Sequence, residues 1–345
     1  MANSEASGPE DPSNPASRRE RRGGSGAAAA MSQGNQVVFA ITSQGHDFYA
    51  AMTRVAIASL RLSNPALRVV VAADGETDRA VRQARDPLIG EVDEWLAVDT
   101  PPGIAGFRNR FVKTSLRGLI EGPYIFLDSD VFVRGNLSEI FTLDADIAGA
   151  RNHSQQDFAE QVWEQDAVML RTMGWMTRTD VYINGGVLFL NDTIPATRLA
   201  SEWHRRWLRS FQFSGKYRDQ PALNSAIFAT RPRLTVLPDR YNAQVKTNTR
   251  VAADADLWHF YADSQMPGFF QYDVVVKKLL RTRTLDLSEI QNLRQRREPW
   301  RDEILGDRYV ANRLSRQGCP SGWELIWLSG QRFHGLLSCI RGRRP

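Results

Sequence analysis

The chain has 345 residues, 42% hydrophobic and 24% charged, with a formal charge of +5. That composition is globular and leaves room for one large domain or two small ones around a sizeable core. Two cysteines, Cys319 and Cys339, are too few for a disulfide framework or a Cys-rich metal site and read as free thiols, no apolar run reaches the roughly 20 residues of a membrane span, and no signal-peptide pattern is present.

Residues 1–35 are rich in Ser, Pro, Gly, Ala, Glu and Arg and hold no aromatic residue, so they are expected to form a disordered tail. Order begins at Val37-Val38-Phe39-Ala40-Ile41, a short apolar run that predicts a buried strand. Tyr49 to Leu60 has helical spacing, and Asn64-Pro65 breaks it before a second buried strand at Arg68 to Ala73. Asp78 to Arg85 predicts a helix, Val92 to Val98 a strand, and Arg110 to Leu119 a helix closed by Gly122-Pro123. Tyr124-Ile125-Phe126-Leu127 is a third buried strand, ending on Asp128. Further on, Val181 to Leu190 is an apolar strand interrupted by Asn184-Gly185-Gly186, and Ala196 to Phe211 is a helix with Trp203 and Trp207 four apart. Asp219-Gln220-Pro221 opens another helix, with Pro near its start. Leu234 to Leu237 and Leu257 to Tyr261 complete the set as short strands.

Alternating strands and helices predict an α/β fold with one mixed, mostly parallel sheet flanked by helices. Ligands in such sheets bind beyond the carboxyl ends of the strands. Those ends carry Thr42-Ser43, Asp74-Gly75 and Asp128-Ser129-Asp130.

An Asp-x-Asp step at a strand end brings two carboxylates into one small volume, where they repel unless a proton or a cation intervenes. Hard oxygen ligands suit Mg²⁺ or Mn²⁺, and such an ion neutralises a departing diphosphate. Taken alone, the step suits an ordinary turn equally well.

The longer segment Tyr124-Ile-Phe-Leu-Asp-Ser-Asp-Val-Phe-Val-Arg-Gly-Asn-Leu-Ser-Glu-Ile-Phe141 resembles the metal-binding segment of family 8 glycosyltransferases, the glycogenin and lipopolysaccharide galactosyltransferase group. The resemblance runs from about Val37 to Tyr261. It implies a GT-A domain over residues 36–275, a basic C-terminal extension over 276–345, and a retaining, Mn²⁺- or Mg²⁺-dependent enzyme using a nucleotide-diphosphate sugar, such as a UDP-sugar.

By that resemblance, Ile41, Ser43, Gln44 and Tyr49 contact the nucleoside, Lys113 is the basic residue before the metal motif, and Arg108 or Arg110 fills a further basic position. Asp128, Asp130 and His259 correspond to the metal ligands and Ser129 to a ribose contact. Asn184 and Gly185 face the donor sugar, and Asp219-Gln220 stand beside the anomeric carbon. One element departs from the family. Its Gly and Lys-Pro-Trp after the His are replaced here by Tyr261-Ala-Asp-Ser-Gln-Met-Pro-Gly268, which removes one positive contact to the leaving group. Lys277, Lys278 and Arg250 are candidates to replace it.

A non-catalytic GT-A protein, or a phosphatase or nucleotidyltransferase built on the Asp pair, stays open at this point. The expected partners are a nucleotide sugar and a carbohydrate or glycoconjugate acceptor, with no nucleic acid. Residues 271–345 carry 15 basic and 8 acidic groups, so the positive charge belongs to the C-terminal region. Trp323, Ile326, Trp327, Phe333, Leu337 and Ile340 fall largely on one helical face, which suits either packing on the body or peripheral contact with a membrane. The expected location is cytoplasmic, with that membrane contact open.

Overall fold

The computed structural model describes residues 17–21, 34–261 and 270–301. Its strands are β1 (Ser17–Arg21), β2 (Gln36–Ile41), β3 (Arg68–Asp74), β4 (Glu94–Val98), β5 (Tyr124–Leu127), β6 (Val131–Val133), β7 (Ile147–Arg151), β8 (Ile183–Leu190), β9 (Leu234–Leu237), β10 (Ala243–Gln244) and β11 (Leu257–His259). Its helices are α1 (Phe48–Ser63), α2 (Gly75–Gln83), α3 (Leu88–Glu91), α4 (Ala105–Leu119), α5 (Phe158–Gln161), α6 (Glu164–Met173), α7 (Ile194–Ser214), α8 (Gln220–Thr230), α9 (Gln271–Thr282) and α10 (Leu287–Gln295).

The main sheet has the order β1-β4-β3-β2-β5-β8-β7-β9. β4, β3, β2 and β5 run parallel, and β8 runs antiparallel to both β5 and β7. Helices cover both faces, so the central strands are apolar on both sides. In β2, Val37, Phe39 and Ile41 enter one core and Val38 and Ala40 the other, as the two-residue period of a strand requires. β5 divides likewise, with Ile125 and Leu127 against one core and Tyr124 and Phe126 against the other.

A small sheet, β10-β11-β6, stands beside the first. The chain passes from β5 into β6 through Asp128-Ser129-Asp130, so this tripeptide joins the two sheets. Opposite it, β8 begins with Ile183-Asn184-Gly185-Gly186, and Leu127 pairs with Val187. The Asp128 N–H donates to the Gly186 carbonyl at 2.8 Å. In the small sheet His259 pairs with Val131, and the Phe260 N–H donates to the Asp130 carbonyl at 3.0 Å. Two separate ladders therefore fix the two aspartates.

Three expectations change. Within the segment expected to be disordered, Ser17–Arg21 pairs antiparallel with β4 as an edge strand. The expected boundary at 275/276 falls inside α9. Tyr272, Val276, Leu279, Ile290, Leu293 and Trp300 share a core with Phe48, Met52 and Val55 of α1 and with Trp258, so residues 270–301 belong to the same body. Helix α4 starts five residues before the predicted Arg110, because Ala105 already follows the Pro101-Pro102-Gly103 breaker. No helix among the described residues is long and apolar enough to cross a membrane. The amphipathic segment after residue 318, both cysteines and the 262–268 replacement lie outside the described residues.

Candidate active site

Asp128, Asp130 and His259 come together at the junction of the two sheets, with one ligand atom from each within 4.8 Å of the others. The tautomer of His259 follows from a chain of hydrogen bonds. The Gly186 N–H donates to Asn184 Oδ1 at 2.9 Å, which makes that atom an acceptor. Asn242 Nδ2 donates to the same oxygen at 3.0 Å, leaving Asn242 Oδ1 to accept from His259 Nδ1 at 2.9 Å. His259 therefore carries its proton on Nδ1, and the bare Nε2 lone pair lies 3.4 Å from Asp130 Oδ1. A lone pair facing a carboxylate is unfavourable without a cation between them. Two carboxylates and an oriented imidazole form a donor set that fits a divalent metal.

Gly186 leaves room for this cluster. A Cβ there would stand 2.8 Å from Asp128 Oδ2. At Gly185 the nearest atom to a Cβ is 3.7 Å away, so the close approach belongs to Gly186.

A second charged group lies alongside. Lys113 Nζ donates to Asp128 Oδ1 at 3.1 Å and stands 3.5 Å from Asp219 Oδ2. Arg110 Nε lies 3.0 Å from Asp219 Oδ1. Burial alone would raise the Asp219 carboxyl, but Lys113 and Arg110 outweigh it and hold the group below the usual carboxylate range. Asp219 immediately precedes α8 but makes no capping bond through its side chain. Its place is set from behind by the two tryptophans of α7. Trp203 Nε1 donates to the Asp219 carbonyl at 3.1 Å, and Trp207 Nε1 to the Tyr217 carbonyl at 3.3 Å.

Gln220 Oε1 accepts from the Gly185 N–H at 3.1 Å, which ties α8 to the start of β8. Asn184 Nδ2 donates to Asn152 Oδ1 at 3.0 Å and to Tyr261 OH at 2.9 Å. Asn152, Asn242 and Tyr261 complete the network, with Gln244 accepting from the Tyr261 hydroxyl, and sequence reasoning assigned none of the four. Tyr261 is the one that carried a signal: it follows His259 by two residues, the spacing that returns to the same side of an extended chain.

Two cavities meet here. One, of about 480 Å³, is lined by Lys113, Asn184, Gly185, Asp219, Gln220 and His259. The other, of about 990 Å³, is lined by Ser43, Gln44, Tyr49, Arg108, Ser129 and Asp130. Arg110, Asp128 and Tyr217 line both. Most of the expected nucleoside contacts are thus on one wall. Ile41 is not: its side chain is 1% exposed and packs in the core, because the strand's alternation turns it away from the cavity. Arg108 is committed to Asp74 at 2.9 Å and Glu76 at 2.8 Å, bracing β3 against α4. Lys277, Lys278 and Arg250 line neither cavity, and Lys278 is paired with Asp286 and Glu289.

Residues 124–263, which hold β5, the Asp-x-Asp turn, Asp219-Gln220 and His259, match glycosyl transferase family 8. Over these residues the chain is similar to family 8 glycosyltransferases. The family 8 match favours glycosyl transfer over the phosphatase and nucleotidyltransferase alternatives. In fold the chain is similar to the bifunctional glycosyltransferase WbbM, with a TM-score of 0.50 and 15% identity, over 81% of this chain and 52% of that one. The chain thus spans about half the length of WbbM. Two other solved structures are similar. The galactosyltransferase LgtC, in complex with donor and acceptor sugar analogs, has TM-score 0.48 and 18% identity over 72% of this chain and 95% of that one. The glycosyltransferase GlyE of Streptococcus pneumoniae has TM-score 0.47 and 20% identity over 75% and 63%. No curated protein sequence matches the chain. The likeness to WbbM is one of fold, of the GT-A type.

Proposed function

We propose that the chain transfers a sugar from a nucleotide-diphosphate donor, a UDP-sugar, to a carbohydrate or glycoconjugate acceptor, with retention at the anomeric carbon. The observation that carries this reading is the convergence of Asp128, Asp130 and His259 between two cavities, beside a buried Lys113–Asp219 pair. The larger cavity takes the nucleoside against Ser43, Gln44, Tyr49 and Ser129, and the smaller takes the sugar against Asn184, Gly185 and Gln220.

Asp128, Asp130 and His259 would hold Mn²⁺ or Mg²⁺, which supplies Lewis-acid stabilisation of the departing diphosphate when bound. Lys113 adds a fixed positive charge on the same side. Asp219, kept anionic, faces the positive charge that develops at the anomeric carbon. A carboxylate shared between two cations is a poor nucleophile, which favours front-face attack over a covalent adduct on Asp219. In front-face attack the departing phosphate oxygen accepts the acceptor's proton, so no protein base is required.

The test is nucleotide release from a panel of UDP- and GDP-sugars in Mn²⁺, for wild type and Asp130→Asn. Turnover is expected with at least one UDP-sugar and is expected to vanish in the variant while the fold is retained. Activity persisting in the variant, or surviving excess chelator, would sink the proposal.

A further inference from the structure

Of the described basic residues that face the two cavities, only Arg110 lines both. The others are elsewhere or already engaged. Arg108 lies between Asp74 and Glu76, Arg218 is bonded to Asp166 and Gln165, and Lys216 is exposed on the sugar side. Lys113 spans Asp128 and Asp219 and is covered by the Phe126 ring, 4.7 Å from its centroid.

Arg110 is held differently. Its side chain is 28% exposed, its Nε faces Asp219 at 3.0 Å without hydrogen-bond alignment, and its Nη1 donates to the neighbouring Asn109 side chain. Asp219 Oδ2 also lacks a hydrogen-bond partner, so charge, and not directed bonding, positions this pair. A guanidinium has five N–H donors arranged to fit phosphate oxygens, and here most of them are not spent on protein. Of the acidic side chains around it, Asp128 is paired with Lys113, Asp219 with Lys113 and Arg110, and Asp130 faces His259.

We infer that Arg110 is the cation that grips the β-phosphate of the nucleotide, with Asp219 holding its guanidinium at the boundary between the nucleoside and sugar cavities. This rests on the nucleotide-diphosphate reading above. Arg110 spans the point where a diphosphate must lie if the nucleoside occupies one cavity and the sugar the other. It bears on the bond that breaks: in the transferred sugar's departure, the C–O bond's electron pair passes to the β-phosphate oxygen, and a guanidinium there stabilises the added charge. Asp219 is thereby linked to donor occupancy through the same side chain.

The experiment compares calorimetric binding of UDP, UMP and uridine, each with Mn²⁺, to wild type, Arg110→Gln and Arg110→Met. A contact to the β-phosphate predicts that Arg110→Gln weakens UDP roughly 10- to 100-fold while UMP changes less than about threefold. A role only in packing α4 would move UDP and UMP together. Arg110→Met, which keeps an unbranched apolar stem, gives the same reading where the glutamine variant folds poorly. Equal losses for UDP and UMP, or an unchanged UDP-to-UMP ratio in both variants, would overturn the inference and leave the donor reading standing. A wild type that does not prefer UDP to uridine would overturn both.

Discussion

Gly186 lies against His259: a Cβ on Gly186 would stand 2.2 Å from Cε1 of the imidazole. No side-chain rotation relieves such a contact, because the glycine is fixed in β8 and the imidazole is fixed by Asn242. Gly186→Ala is therefore expected to displace His259 and weaken Mn²⁺ binding roughly 100-fold, within the range for disturbed ligand orientation. Gly185→Ala, whose Cβ meets only ordinary contacts, is expected to bind Mn²⁺ within about threefold of wild type. Calorimetric titration of both variants checks this, and similar affinities for the two would contradict the geometry.

Asp219→Asn removes the anion shared by Arg110 and Lys113. Turnover is expected to fall at least about 100-fold, the scale of a lost electrostatic contact in a transition state. Intact-mass analysis of wild type with a slow donor should find no glycosyl adduct on Asp219. Detection of one would establish double displacement.

Trp203→Phe deletes the indole N–H that holds the Asp219 carbonyl and keeps an aromatic ring in the core. We expect kcat to drop about tenfold through misplacement of the Asp219-Gln220 turn, with Mn²⁺ affinity unchanged. A stability loss of about 1–2 kcal/mol is expected in urea melts. Unchanged kcat would show that the turn is held by α8 alone.

His204 sets a pH limit on stability. Burial lowers its pKa to about 4. Thr114 Oγ1 donates to the Arg110 carbonyl and accepts from His204 Nδ1, which leaves Nε2 without a partner in an apolar cleft. The folded state therefore resists protonation that the unfolded chain accepts at its ordinary value near 6.5. Stability is full above that value and is lost as pH falls from about 6.5 towards 4, by at most roughly 3 kcal/mol for a shift of this size. His153, lowered to about 4 by burial as well, acts in the same direction. His204→Phe should flatten part of this slope in urea melts between pH 7.5 and about 4.5. A slope identical to wild type would remove His204 from the account.

The strands and helices around the site were legible because each carries a local pattern. β2, β3 and β5 are short apolar runs, and α1, α4 and α7 repeat apolar residues at helical spacing. Asp128, Asp130, Lys113, Asn184, Asp219, Gln220 and His259 were all named from sequence, and folding brings them together around one junction. The side chain of Ile41 lies in the core because a strand end has two faces, and the motif does not say which one the cavity occupies.

What the sequence determined alone was the carboxylate step at the end of an apolar strand, in a chain whose alternating strands and helices make that end a binding edge. Periodicity and strand termination are local properties, so composition and spacing suffice to read them. Only the tertiary structure decided that Gly186 and not Gly185 must lack a side chain, that Asn242 sets the imidazole tautomer, and that Arg110 faces both cavities while Arg108 is consumed by Asp74. Each of these depends on atoms from elements far apart in the chain, whose distances are set by sheet register and helix packing, and no nearest-neighbour pattern records them.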